Sequence, residues 1–94
     1  MAHQVPLSKR RRQEGWKAKV YDNERKETPH LTVTRGPEDE WRVSLRDKSC
    51  LVPPGGTWSQ IPEDVRLDIE ADWEACIAYW DATNPGNPVK GEGL

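Results

Sequence analysis

Pro29-His30-Leu31-Thr32-Val33-Thr34-Arg35 alternates apolar and polar side chains with a period of two, the repeat of a strand with one face in a core and one in water. Leu31 and Val33 read as inward, with His30, Thr32 and Thr34 on the opposite face. Upstream, Gly15-Trp16-Lys17-Ala18-Lys19-Val20-Tyr21 shows the same period, with Trp16, Ala18 and Val20 inward. Downstream, Trp41-Arg42-Val43-Ser44-Leu45-Arg46 repeats it, with Trp41, Val43 and Leu45 inward. A polar loop over residues 22–27 and the turn Gly36-Pro37-Glu38-Asp39 are short enough to join these segments as neighbours. Pro29 sits at a strand start, where its missing N–H does least harm. Three successive strands predict an antiparallel meander.

After residue 47 the character changes. Leu51-Val52-Pro53-Pro54-Gly55-Gly56 suits neither a central strand nor a helix. Thr57 and Gln60 have capping-box spacing, and Pro62 followed by Glu63 and Asp64 is a favourable helix start. From there to about residue 82, Val65, Ile69, Trp73, Cys76, Ile77 and Trp80 fall within an arc of roughly 120°, a stripe suited to covering the inner face of the sheet. Asn84-Pro85-Gly86-Asn87-Pro88 stops the helix. The expected architecture is α+β in the order β-β-β-α: a three-stranded antiparallel meander, one face covered by a long C-terminal amphipathic helix. A flexible basic arm is expected over residues 1–13, one domain over 14–83, and a loose tail over 84–94.

With 94 residues, 34% hydrophobic and 32% charged, the chain has material for a modest core in which five Trp supply much of the area. It contains no apolar run of membrane-spanning length, and its start lacks the apolar segment of a secretory signal, so a cytoplasmic protein without membrane contact is expected. Cys50 and Cys76 fit neither CxxC nor Cys-His spacing, and Cys76 reads as a small buried core residue. His3 and His30 are few and distant, so no metal and no cofactor are expected. A Gly-rich phosphate loop, an HExxH motif and a Ser-His-Asp arrangement are all lacking.

Charge is divided along the chain. Residues 1–56 hold 12 Lys+Arg against 8 Asp+Glu, net +4, whereas residues 57–94 hold 2 against 8, net −6. The expected open sheet face presents Lys17, Lys19 and Tyr21, then His30, Thr32 and Thr34, then Arg42, Ser44 and Arg46, with four cations and no carboxylate. That segregation favours RNA or DNA, aided by Arg10, Arg11 and Arg12 of the arm. On the expected helix, Asp64/Asp68, Asp68/Asp72 and Glu70/Glu74 set like charges one turn apart, an unfavourable arrangement. Asp64, Asp68, Glu70 and Glu74 are therefore read as a surface for a basic protein partner, or for the basic arm of a second copy.

Glu27-Thr28-Pro29-His30-Leu31-Thr32-Val33-Thr34-Arg35-Gly36 resembles the signature of a family of small bacterial proteins, the domain-of-unknown-function family four-one-six-zero. Its members read Pro-Pro-His-Phe-His-Val and then glycine, in a β-rich half followed by a helical half, often beside toxin–antitoxin-like genes. Pro29, His30, Val33 and Gly36 match; the second histidine of the family falls at Thr32, and the likeness extends over residues 15–84. Gly15-Trp16 and His30 also resemble, more weakly, small messenger-RNA-cleaving toxins with a double-stranded-RNA-binding-like fold.

Together these features predict a bacterial interaction module of a toxin–antitoxin-like or mobile-element locus, with nucleic acid on the sheet and protein on the helix. One alternative is a metal-independent ribonuclease toxin in which His30 moves a proton and cations stabilise the phosphorane. Another is a sheet that reads DNA, with Arg42 and Arg46 on guanines. Beyond the candidate His30 no catalytic residue is assigned, and an enzyme is the less favoured reading.

Overall fold

The computed structural model describes residues 2–22, 27–52 and 56–89. Five strands, β1 (Ala2–Gln4), β2 (Trp16–Tyr21), β3 (His30–Arg35), β4 (Asp39–Ser44) and β5 (Cys50–Val52), form one antiparallel sheet in the order β1-β2-β3-β4-β5. The helices are α1 (Lys9–Gln13) between β1 and β2, then α2 (Glu63–Ala71) and α3 (Trp73–Thr83) after the sheet, with a 3-10 turn at Trp58–Gln60. The α+β class holds, but the expected three-stranded sheet under a single long C-terminal helix does not.

Two strands were missed for the same reason. Each is three residues long and borders a proline, Pro6 after the β1 segment and Pro53 after β5, so neither shows enough alternation to register as a strand. They form because β2 and β4 offer unpaired backbone edges. Ala2, His3 and Gln4 pair with Tyr21, Val20 and Lys19, and Val5 N–H continues the ladder to Ala18 O at 2.8 Å. On the other edge, Arg42 pairs with Val52 and Val43 with Cys50 across a register shift, a bulge that bends the edge.

The three strands legible in the sequence form in the expected order, but β4 runs over Asp39–Ser44, two residues earlier than the expected 41–46. Lys17 faces Thr34 and Lys19 faces Thr32; His30 faces Ser44 and Thr32 faces Arg42. Trp16, Ala18, Val20, Leu31, Val33, Val43 and Leu45 are buried in one cluster with Ile61, Val65, Ile69, Cys76 and Trp80, so α2 and α3 cover the face that the alternation assigned to the core. Trp41, Trp73 and Ile77 pack at its margin. Gly15, which opens β2, has φ +96, and a Cβ there would stand 3.3 Å from Gly36 N. Gly36 N–H donates to Gly15 O at 3.1 Å, so the turn before β2 and the β3–β4 turn are locked together at a contact only glycine fits without strain.

The expected continuous helix breaks at Asp72, which ends α2 and starts α3 with φ −104 and ψ 9. The break leaves the stripe intact, since Val65 and Ile69 before it and Cys76 and Trp80 after it are all buried. Pro62 caps α2 from just outside, with Glu63 and Asp64 in its first turn. Thr57 N–H donates to Gln60 Oε1 at 3.2 Å, as the capping-box spacing predicts.

Residues 2–13, expected as a flexible arm, carry β1 and α1, and Val5 and Leu7 enter the core. In the expected loose tail, residues 84–89 fold back: Trp80 Nε1–H donates to Asn87 O at 2.7 Å, Asn87 Nδ2–H to Glu27 O at 2.6 Å, and Val89 is buried. Residues 90–94, like the middle of the polar loop at 23–26 and the centre of the Pro-Gly connection at 53–55, lie outside the described residues. No helix among the described residues is long and apolar enough to cross a membrane.

Candidate functional site

Alternation along β2 sends Lys17, Lys19 and Tyr21 to the face opposite Trp16, Ala18 and Val20. Lys17 is exposed, Lys19 half-buried, and Tyr21 is 39% exposed. Neither lysine has an ion-pair partner among the described residues. The other residues expected to line this face behave differently. Arg42 Nε–H donates to Glu40 Oε2 at 2.9 Å, and Arg42 Nη1 lies 3.4 Å from Glu27 Oε1. Glu40 faces Thr34 across the β3–β4 ladder, so it lies on the face expected to lack carboxylates, and that expectation fails: the expected strand begins at Trp41, whereas β4 begins at Asp39 and includes Glu40. Arg46 donates from Nε to Val89 O at 2.8 Å and from Nη2 to Pro88 O at 3.1 Å, which ties it to the folded-back tail.

His30 is 2% exposed and Thr32 8%. The His30 ring lies 5.6 Å from the Trp80 ring, and its Nδ1–H donates to Thr28 O at 2.8 Å, which fixes the position of a ring proton. His30 and Arg42 share a shallow cavity of about 270 Å³ with Glu27, Thr28, Leu51 and Val52. The structure thus brings together two of the residues proposed for RNA cleavage, but the imidazole is a wall packed on tryptophan, and the cation beside it is already bound to carboxylates. An acid–base group must come within hydrogen-bond reach of substrate, and burial of this ring works against that.

The acidic helix is answered from within the chain. Asp64, Asp68 and Asp72 stand at intervals of four along one side of α2 and its end. Arg11 Nε–H donates to both oxygens of Asp64, at 3.1 and 2.9 Å, and Arg10 Nη2 lies 3.7 Å from it. Ser8 N–H donates to Asp68 Oδ2 at 3.0 Å, and His3 Nε2–H to Asp72 Oδ2 at 2.6 Å. Hydrogen bonding from Arg11, reinforced by its charge, holds the Asp64 carboxyl below the usual range and pushes the Arg11 guanidinium up. Glu70 accepts from Lys48 Nζ at 2.8 Å. Of the four carboxylates expected to meet a partner, Asp64, Asp68 and Glu70 are engaged internally, and Glu74 is exposed. Among the arm cations Arg10 and Arg11 face α2, whereas Arg12 lines a cavity with Gln4, Val5, Pro6 and Leu7.

A cluster that sequence reasoning did not assemble lies at the break between α2 and α3. His3 of β1 points to the core side with Val20, its partner in the ladder, and meets Asp72; Cys76 Sγ–H, one turn into α3, is 3.7 Å from the same Asp72 Oδ2. Burial and the neighbouring carboxylate push the Cys76 thiol up to about 12, so it is a poor nucleophile at neutral pH, where the thiolate is the reactive species. The Asp72/Cys76 spacing was visible as an i, i+4 pair, but nothing in the sequence linked it to His3, because β1 was not recognisable. Comparison of the chain with protein-family models, with curated proteins and with solved structures gives no match.

Proposed function

We propose that the protein is a small binding module that holds single-stranded nucleic acid on the open face of its sheet, along β2. The observation that carries this reading is the row Lys17, Lys19, Tyr21: two cations without carboxylate partners among the described residues, followed on the same face by an exposed aromatic ring. Strand geometry spaces these side chains about 6.5–7 Å apart. Two phosphates can then be met by ammonium groups while a base stacks on Tyr21, the combination by which sequence-tolerant sheet surfaces hold a single strand. Thr32 and Thr34 border the row across the ladder. With a net charge of −2, attraction must be local to this strip rather than a property of the whole molecule. The likeness of residues 27–36 to a family found beside toxin–antitoxin-like genes is in keeping with a role in such a locus. Burial of His30 favours binding over ribonuclease chemistry.

Fluorescence anisotropy with labelled single-stranded RNA and DNA, titrated across salt concentrations, tests the reading. Two phosphate contacts give a slope of log K against log salt of about −1.4, at roughly 0.7 per contact on a single strand. K17E/K19E is expected to abolish binding, and Tyr21→Ala to weaken it by about 1–3 kcal/mol. Binding unchanged by K17E/K19E, or independent of salt, overturns it.

A further inference from the structure

We infer that His3, Asp72 and Cys76 form a binding site for a divalent transition-metal ion of the zinc class. The inference is independent of the sheet-face reading, since the site lies on the helix side of the sheet. Three different ligand types converge here from two distant parts of the chain: His3 from the edge strand β1, Asp72 from the junction of α2 and α3, and Cys76 from the next turn of α3. Their ligand atoms all lie within 4.8 Å of one another. Nε2 of His3 is 2.6 Å, and Sγ of Cys76 3.7 Å, from the same Asp72 oxygen.

Tetrahedral zinc with ordinary Zn–N, Zn–O and Zn–S bonds places its ligand atoms about 3.4–3.6 Å apart. The sulfur–carboxylate edge already has nearly that length. The His3–Asp72 edge must open by under about 1 Å, replacing a hydrogen bond between the two side chains by a shared cation. The Asp72 and His3 side chains keep 20% and 25% exposure, so the cluster has an entry from solvent, while Cys76 is buried behind it. Such a half-open arrangement of three protein ligands leaves the fourth position to water or an exogenous group. Nitrogen, oxygen and thiolate together favour zinc or cobalt over magnesium or calcium, which prefer oxygen-only shells. On binding, the metal displaces the Cys76 thiol proton to solvent and takes the place of the proton on His3 Nε2, the neutral imidazole then carrying its proton on Nδ1; oxidation states are unchanged.

The wild-type protein, prepared metal-free and reduced, is titrated with Co²⁺ and followed by absorption. A thiolate-to-cobalt charge-transfer band together with the intense visible bands of tetrahedral cobalt, saturating at one equivalent and displaced by Zn²⁺, is the expected result. C76A removes the charge-transfer band, and D72N and H3Q each lower Zn²⁺ affinity by about 100-fold or more, since even an outer-shell partner is worth roughly 10–100-fold. Circular dichroism verifies that each variant is folded. Absence of the charge-transfer band in the wild type overturns the inference without recourse to any variant. A band that survives C76A in a folded protein overturns it as well, and assigns the sulfur to Cys50.

Discussion

The two faces of the sheet handle charge in opposite ways. On the helix side, groups from the two halves of the chain meet: Arg11 pairs with Asp64 and Lys48 with Glu70, while Ser8 N–H and His3 donate hydrogen bonds to Asp68 and Asp72. On the open side, Arg42 and Arg46 are taken up by neighbours, while Lys17 and Lys19 stand without carboxylate partners among the described residues. The lesson is that a charge asymmetry along a sequence is not by itself a binding surface. Like charges one turn apart on α2 look like a patch waiting for a partner, but here they form a ladder that receives the amino-terminal segment of the same chain.

The sharpest way to break the comparison is through packing under the helices. Trp80→Ala, at a residue wholly buried between the helices and the sheet, is expected to cost about 3–5 kcal/mol in urea unfolding, enough to threaten the fold of a small domain. Gly15→Ala forces a side chain into φ +96 and against Gly36, with an expected loss of about 1–3 kcal/mol by the same assay. A subtler test titrates the ladder. Because Asp64 is held low in the folded protein, first by its hydrogen bond from Arg11, its contribution is present above its unfolded carboxyl pKa and is lost as pH falls through its lower folded value. Unfolding midpoints of wild type and D64N should therefore converge on acidification below about pH 4; a constant gap would show that the Arg11 contact contributes nothing to the fold. Smallest of all should be K17E/K19E, which is expected to change stability by no more than about 0.5 kcal/mol while removing nucleic-acid binding. A large loss of stability would move these lysines from the open face into the framework.

Thiol labelling sharpens the same contrast. Cys50 is half-buried near the sheet edge, whereas Cys76 is fully buried with its thiol pushed up to about 12. Native-state alkylation at neutral pH, read by mass spectrometry, is expected to modify Cys50 well before Cys76.

Where a segment was long and periodic, its reading survived contact with the structure. Trp16, Ala18 and Val20, Leu31 with Val33, and the stripe Val65, Ile69, Cys76, Trp80 occupy the core as their spacing requires. Edges and breaks were beyond reach. Ala2-His3-Gln4 has no β-forming character and becomes a strand because the edge of β2 supplies hydrogen bonds, and Asp72 interrupts a helix whose hydrophobic period runs on unbroken. The cluster at His3, Asp72 and Cys76 depends on both of these features, so it was hidden for the same reason that the outer strand and the helix break were.

Periodicity therefore determined that Trp16, Ala18, Val20, Leu31, Val33 and Val43 face inward and that the class is α+β, because these follow from repeats of two and 3.6 residues along a local stretch of chain. Which polar groups meet was decided by tertiary structure alone, since Arg11 and Asp64 are separated by 53 residues and His3 and Asp72 by 69. No local pattern encodes a meeting over such a distance. It arises when β1 pairs with β2 and α2 settles on the sheet, and it is what narrows an apparently basic surface to the short strip of Lys17, Lys19 and Tyr21.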